Sequence, residues 1–473
     1  MSSTQVNNDI IKPNRYAVSY YEIFILSLII VWLPSKLLAY LTPFICMFWF
    51  IIRANSGKSL IRLGCFILVY GILVGAYYLF YHCINEPFIL QNAFMSFITY
   101  GSFIFFMVLP PNQSVSQINY MKFIKVIEWF IIIQSFLGIF QVLVFVAING
   151  GNFDSSTGDV VQGTLNSLSF MNPSVNFNNQ IYTANLLLLL LFYVPFNIAK
   201  KRGLLISAIG FIAILMASVL HLFIAFIVAV VLISIYFSSS FIKMNTARLL
   251  IAFFLIIAIS LTIVLQPKNF ALVSYYFNDL STNRSPKTAA TIKAVTKMPS
   301  SYPWARVIGL GPGQYSSRAG LIGTGHYFGD FKKPKEIPFI EPNYSYAFKE
   351  YVYKDWKDVA TNVAKYGNST MSRPFYSTLS VLTEFGYVIF ALILFLLIRF
   401  IRKLKKLYIG AQTEKNMMHS FYSIACAAAI VFFIFISFFE NYMEVTQAIF
   451  PGLLMLYFFN SFLRDQFRTP SSP

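Results

Sequence analysis

The sequence predicts an all-α polytopic membrane protein of about twelve transmembrane helices, with one large, partly helical loop on the outer face. Three observations carry that prediction. The 473 residues are 57% hydrophobic and only 11% charged, too few charges to coat a soluble fold of this size. The apolar residues fall into runs near the roughly 20 needed to cross a bilayer. The basic residues gather on alternate sides of those runs, as the positive-inside rule requires.

In chain order the runs lie near 22–34, 37–53, 62–82, 88–109, 123–148, 180–198, 203–219, 221–238, 247–266, 376–399, 420–438 and 443–463. The first 20 residues are polar and no small-residue cleavage site follows the first run, so it reads as a retained span. With both termini inside, the inner loops hold Arg53, Lys58, Arg62, Lys122, Lys125, Lys200, Lys201, Arg202, Lys243, Arg248 and the cluster from Arg399 to Lys415. The short outer loops hold only Lys36. The chain then divides into residues 1–266 with nine spans, 267–375 as the large outer loop, and 376–473 with three spans and a tail. A smaller outer loop occupies 149–179. Cys46, Cys65, Cys83 and Cys426 lie in or beside apolar runs, with neither metal spacing nor a disulfide framework.

Between 267 and 373 the large loop carries 15 Lys and Arg against 7 Asp and Glu, an excess that points to an anionic ligand, to lipid headgroups or to a solvated basic surface. It also holds ten tyrosines with Trp304 and Trp356, residues that stack on sugars or anchor a loop at the membrane interface. The segment 343–366 reads as an amphipathic helix that lies along the membrane or covers a cavity. The stretch "GLGPGQYSSRAG", Gly309 to Gly320, looks like a phosphate-cradling loop. No strand–turn–helix surrounds it and it is placed outside, which excludes a nucleotide loop and leaves lipid as the source of phosphate.

Three further stretches occur in order: "FMNPSVNFNNQIYTANLLLLLLF" from Phe170, "NRSPKTAATIKAVTKMPSSYPWARVIGLGPGQY" from Asn283, and "FYSTLSVLTEFGYVIFALILFLL" from Phe375. Together with the layout of spans they resemble the bacterial O-antigen polymerase and O-antigen ligase superfamily, over roughly residues 160–400. Phe375 and Tyr376 stand where the family carries His and Asn. Ser218 with His221 replaces a Ser-Arg pair at the turn between spans seven and eight. These departures turn the resemblance toward a repeat-unit polymerase rather than a ligase. A lipid-linked oligosaccharide flippase is the alternative from another class, although no internal repeat relates the two halves.

The resemblance implies a GT-C-like fold and a glycosyltransferase of the bacterial inner membrane, active on the periplasmic face. Donor and acceptor are undecaprenyl-diphosphate-linked glycans, with membrane lipids, a chain-length regulator and a flippase as partners. No cofactor, metal or nucleic acid is expected. The glycosyl diphosphate brings its own leaving group, whose growing charge fixed guanidinium groups can hold.

Arg284 in "STNRSPKT" is the first choice for that role, beside a candidate helix cap; snorkelling to headgroups is its other reading. Arg306 and Arg318 flank the glycine turn as further candidates, while Gly311, Gly313 and Tyr315 bring backbone close to the diphosphate or first sugar. His326 is the candidate base or a surface histidine. Glu384 and Glu440, near the membrane interior, act in catalysis or substrate binding or pair with a cation or helix end. His221 either replaces the missing Arg or is a hydrogen-bonded interface histidine.

Overall fold

A computed structural model describes residues 15–109, 120–151, 157–171, 178–197, 200–237, 285–327, 331, 341–362, 373–414 and 416–466. All regular elements among the described residues are helical. Seven of these helices are long and apolar enough to cross a membrane, or eight if one bent pair forms a single span. The chain is an all-helical protein built for insertion into a membrane. The expected span at 247–266 and the candidate Arg284 lie outside the described residues.

Capping residues set the first turns. Helix α1 (Arg15–Val31) leads to α2 (Lys36–Ala54), whose first turn is capped by Ser35 accepting the Leu38 amide at 3.4 Å. Asn55, in the left-handed region at φ 47°, ends α2, and Ser56 caps α3 (Gly57–Cys83). Apolar on most sides, α3 has only 11% of its spanning window buried, the pattern of a helix that faces lipid. The run expected as one span at 88–109 is instead two helices, α4 (Leu90–Thr99) and α5 (Gly101–Val108), bent by 62°. A side chain at Gly101 would come within 2.7 Å of Phe44, so α5 begins in close contact with α2.

Next come α6 (Tyr120–Ile148), α7 (Asn178–Asn197), α8 (Lys201–Ala217) and α9 (Leu220–Phe237). Leu186 to Leu190 of α7 are all buried, making it the central post. The described part of the small loop 149–179 folds back into the bundle. Gln141 of α6 accepts the amides of Gln162 and Gly163 at 3.0 and 2.9 Å, and Gln134 accepts that of Thr164 at 3.0 Å.

The large loop forms a cap with its own core. Helix α10 (Pro286–Ile292) continues through a π turn into α11 (Met298–Ser301). The short α12 (Arg318–Gly323), α13 (Tyr346–Phe348) and α14 (Lys354–Thr361) follow. Ala290, Met298, Tyr315, Val352, Trp356 and Phe375 pack together at the centre of the cap. The amphipathic segment read at 343–366 is helical from Tyr346 to Thr361, and its apolar face covers this core.

The last three helices are α15 (Ser377–Thr413), α16 (Met417–Ile436) and α17 (Thr446–Gln466). The basic run from Arg399 was expected to open an inner loop, yet α15 continues to Thr413, because Lys, Arg and Leu sustain a helix after the apolar pattern stops. The spanning windows of α16 and α17 are 72% and 78% buried, so these two pack at the centre beside α7.

Candidate functional site

The glycine turn meets the bundle at a broken helix. Gly386, at φ 78°, interrupts α15, and the freed carbonyls of Thr383 and Glu384 accept the amides of Leu310 and Gly311, each at 2.9 Å. A side chain on Gly309 would collide with the Glu384 carbonyl, and one on Gly386 with the Val307 carbonyl. Both glycines are needed for this backbone-to-backbone contact, which L-residues at positive φ resist.

Glu384 itself, fully buried, sits inside the turn. Its carboxylate accepts the amides of Gly313 at 2.7 Å, Tyr315 at 3.0 Å and Ser317 at 3.1 Å. The nest of amides that reads as a phosphate cradle in the sequence therefore encloses a carboxylate of the protein's own. Gly311 and Gly313 frame it, and Tyr315 points into the cap core. From the bundle side, Tyr81 donates to the Leu310 carbonyl at 2.9 Å, Tyr77 donates to that of Ile308, and the Gln314 amide pairs with both backbone groups of Ile89.

The next amide, Arg318, donates to a second buried carboxylate, Glu444. Burial holds the Glu444 carboxyl well above the usual carboxylate range. The nearby Glu384 charge adds to the rise, and Arg318 opposes it. Glu444 ends the turn "ENYME" between α16 and α17, where Asn441 also donates to the Ser316 carbonyl at 2.8 Å. Held on both sides, the turn delivers the Arg318 side chain into the interior at 1% exposure, with its guanidinium 4.5 Å from the centre of the Tyr327 ring.

Arg318 lines a narrow cleft between cap and bundle with Lys36, Tyr40, Tyr327, Thr446 and Gln447. Its volume, about 30 Å³, is water-sized, so a larger ligand enters only as the cleft widens. Helix α2 starts at Lys36 and α17 at Thr446, which adds two helix N-termini to two cations. The buried Thr446 hydroxyl makes no hydrogen bond among the described residues. Among the described residues, no carboxylate lines the cleft. This is the chemistry of an oxyanion or phosphate site.

Other candidates lie apart from it. Arg306 is exposed at the end of a 3-10 turn, outside the cleft lining. The ring of His326 stacks on Phe331 with centroids 4.7 Å apart and has Tyr353 Oη at 3.4 Å, while its neighbour Tyr327 turns toward Arg318. His221 and Tyr442 lie 3.4 Å apart, and Tyr442 donates to Gln180 at 2.7 Å. Glu440 is buried with Arg373 at 3.8 Å. Close by, buried Lys287 donates to the carbonyls of Phe439 at 2.6 Å and Arg373 at 3.2 Å.

Sequence reasoning passed over Lys36, Tyr40, Tyr327, Glu444 and Thr446. Lys36 had left a signal as the single basic residue in a short outer turn, and Glu444 as a second carboxylate four residues after Glu440. No family model matches the chain, and no curated protein and no solved structure matches it either.

Proposed function

We propose that the chain is an inner-membrane glycosyltransferase that polymerises undecaprenyl-diphosphate-linked repeat units into O-antigen or a related surface polysaccharide. On this reading the cap lies in the periplasm, both termini are cytoplasmic and the spans number about twelve. One observation carries it: a buried arginine, a lysine and two helix N-termini converge on a cleft, with no carboxylate among its described lining residues, where a basic, aromatic-rich cap meets the membrane bundle. A lipid-linked diphosphate suits that place, with its headgroup between cap and bundle and its tail in the bilayer.

In the reaction, a hydroxyl of the acceptor glycan attacks the anomeric carbon of the donor. The bond from that carbon to the diphosphate oxygen breaks, the electron pair leaves with the diphosphate, and the hydroxyl proton passes to a base or water. Arg318, buried from water, and Lys36, at the exposed rim, stabilise the departing charge. Glu384 and Glu444 hold the backbone that aims Arg318 and are positioning residues. Arg284 remains a second candidate for the same charge. Because fixed cations perform this task, elongation of lipid-linked repeat units continues in excess EDTA.

The decisive experiment is the glycan left when the gene is deleted. Single repeat units on the surface are expected. Bare core instead identifies a ligase, and repeat units retained inside identify a flippase; either overturns the proposal. Topology is tested separately with Cys65 and Cys83 replaced by Ser. An impermeant maleimide added from outside labels Tyr346→Cys, at a position 53% exposed, and leaves Gln412→Cys unlabelled. The reverse pattern places the cleft on the wrong side for this chemistry.

A further inference from the structure

The end of the bundle away from the Arg318 cleft holds a second, differently built feature. Ile181 of α7 lines the cleft, and α7 runs to Asn197, about 24 Å further along at the helical rise. There the chain turns into α8, with Gly203 packed against the Asn197 backbone. Between α6 and α8 lies a groove of about 220 Å³, lined by Ile132 and Phe136 of α6 and by Arg202, Leu205, Ile206 and Ile209 of α8.

Helical spacing gives the groove a direction. Arg202, Leu205, Ile206 and Ile209 follow i, i+3, i+4, i+7, so the cation lies at one end of an apolar stripe. On α6 the facing stripe runs from Phe136 through Ile132 and Trp129 to Lys125 at the same end. Trp129 on this stripe is 60% exposed, and exposed tryptophan is enriched at membrane interfaces. Lys122, Lys125, Lys200 and Lys201 are exposed around this end. Arg202 is tied to Glu128 at 2.6 Å yet keeps 72% of its side chain exposed. Among the described residues, Arg202 with its Glu128 partner is the charged end of a groove lined otherwise by apolar side chains, and four more lysines lie nearby in sequence on α6 and at the start of α8.

We infer that this groove is a binding site for an anionic phospholipid, its phosphate at Arg202 and Lys201 and one acyl chain along Ile132, Phe136, Leu205 and Ile209. The basic rim complements an anionic headgroup, and the apolar stripe complements an acyl chain. A zwitterionic lipid gains less from the rim, and a soluble phosphate gains nothing from the apolar stripe. The Glu128 bond fixes the guanidinium over the mouth and leaves its other nitrogens to face the headgroup.

The test is native mass spectrometry of the full chain in mild detergent, with phosphatidylglycerol or phosphatidylcholine added at equal concentration. Wild type is expected to retain phosphatidylglycerol roughly tenfold over phosphatidylcholine, as one charge-assisted contact predicts. Lys200→Gln/Lys201→Gln/Arg202→Gln abolishes the preference, and Leu205→Trp/Ile209→Trp fills the groove and lowers retention of both lipids. Glycerol phosphate does not compete. Should the triple variant not fold, Lys200→Gln/Lys201→Gln still reduces the preference and the groove-filling pair still lowers retention. A preference that survives loss of the cations, or retention unchanged by the filled groove, overturns the inference.

Discussion

Arg318 and Arg202 stand at opposite ends of the same bundle and differ in almost everything but side chain. Arg318 is 1% exposed, its backbone amide bound by Glu444 and its loop threaded around Glu384. Arg202 keeps 72% of its side chain exposed and meets a single carboxylate. A guanidinium brought out of water loses several kcal/mol of hydration, so the fold commits two buried carboxylates, a broken helix and paired glycines to keeping it there. An exposed ion pair demands none of that and contributes about 0–1 kcal/mol. The surrounding framework, more than the presence of an arginine, separates a site held in fixed geometry from a patch that attracts its ligand by charge.

The sharpest way to break the comparison is to remove the buried cation. Arg318→Ala is expected to slow repeat-unit transfer by roughly a hundredfold or more at matched protein abundance, as loss of a preorganised charge in a shielded site does. Arg318→Lys restores part of the rate, because the charge returns without the fork. Full-length glycan from Arg318→Ala transfers the role to Arg284, whose alanine variant is the direct control.

Next in size is the frame. Glu384→Ala leaves three buried amides without an acceptor, each costing about 1–3 kcal/mol, and the melting temperature in detergent falls accordingly. Glu384→Gln keeps one acceptor oxygen and falls less. Ser316→Cys, at a fully buried position, reports on the loop directly: a maleimide reaches it in the Glu384→Ala background and not in the parent. A Ser316→Cys equally protected in both backgrounds removes Glu384 from its positioning role. Gly386→Ala costs about 1–3 kcal/mol for a backbone conformation nearly confined to glycine, with the collision at the Val307 carbonyl added.

A smaller effect distinguishes the neighbouring Lys287. Burial is the main cause that lowers its ammonium from 10.5 to about 8; Arg373 adds to the fall and Glu440 opposes it. Between those two values the unfolded chain holds a proton that the folded chain has released, so stability rises with pH across that window. Melting curves at pH 7.5 and 9.5 are expected to show the rise in wild type and a flatter response in Lys287→Met; equal slopes refute it. Smallest of all, Arg202→Ala changes the melting temperature by the equivalent of about 1 kcal/mol or less.

What could be read from the chain follows the range of the interactions. Hydropathy and charge alternation are local, and among the described residues the helices appear where the apolar runs lie, except where 88–109 bends at Tyr100 and where α15 outruns its apolar stretch. Glu384 was legible as a carboxylate in need of a partner, since a charge within an apolar run is costly alone. The glycines were legible as a close approach of backbone. Which surface they approach was not, because Gly309 and Gly386 are remote in sequence and only folding sets them face to face.

By itself, then, the sequence determined an all-helical, membrane-inserted chain with a large basic loop, because burying backbone in lipid leaves the helix as the solution for runs of that length and composition. Only the tertiary structure decided that the glycine turn encloses Glu384, and that Lys36, Arg318 and Thr446 share one cleft. Those contacts join the start of the chain, the cap and the last helix. No local pattern encodes them, since each depends on which helices pack side by side.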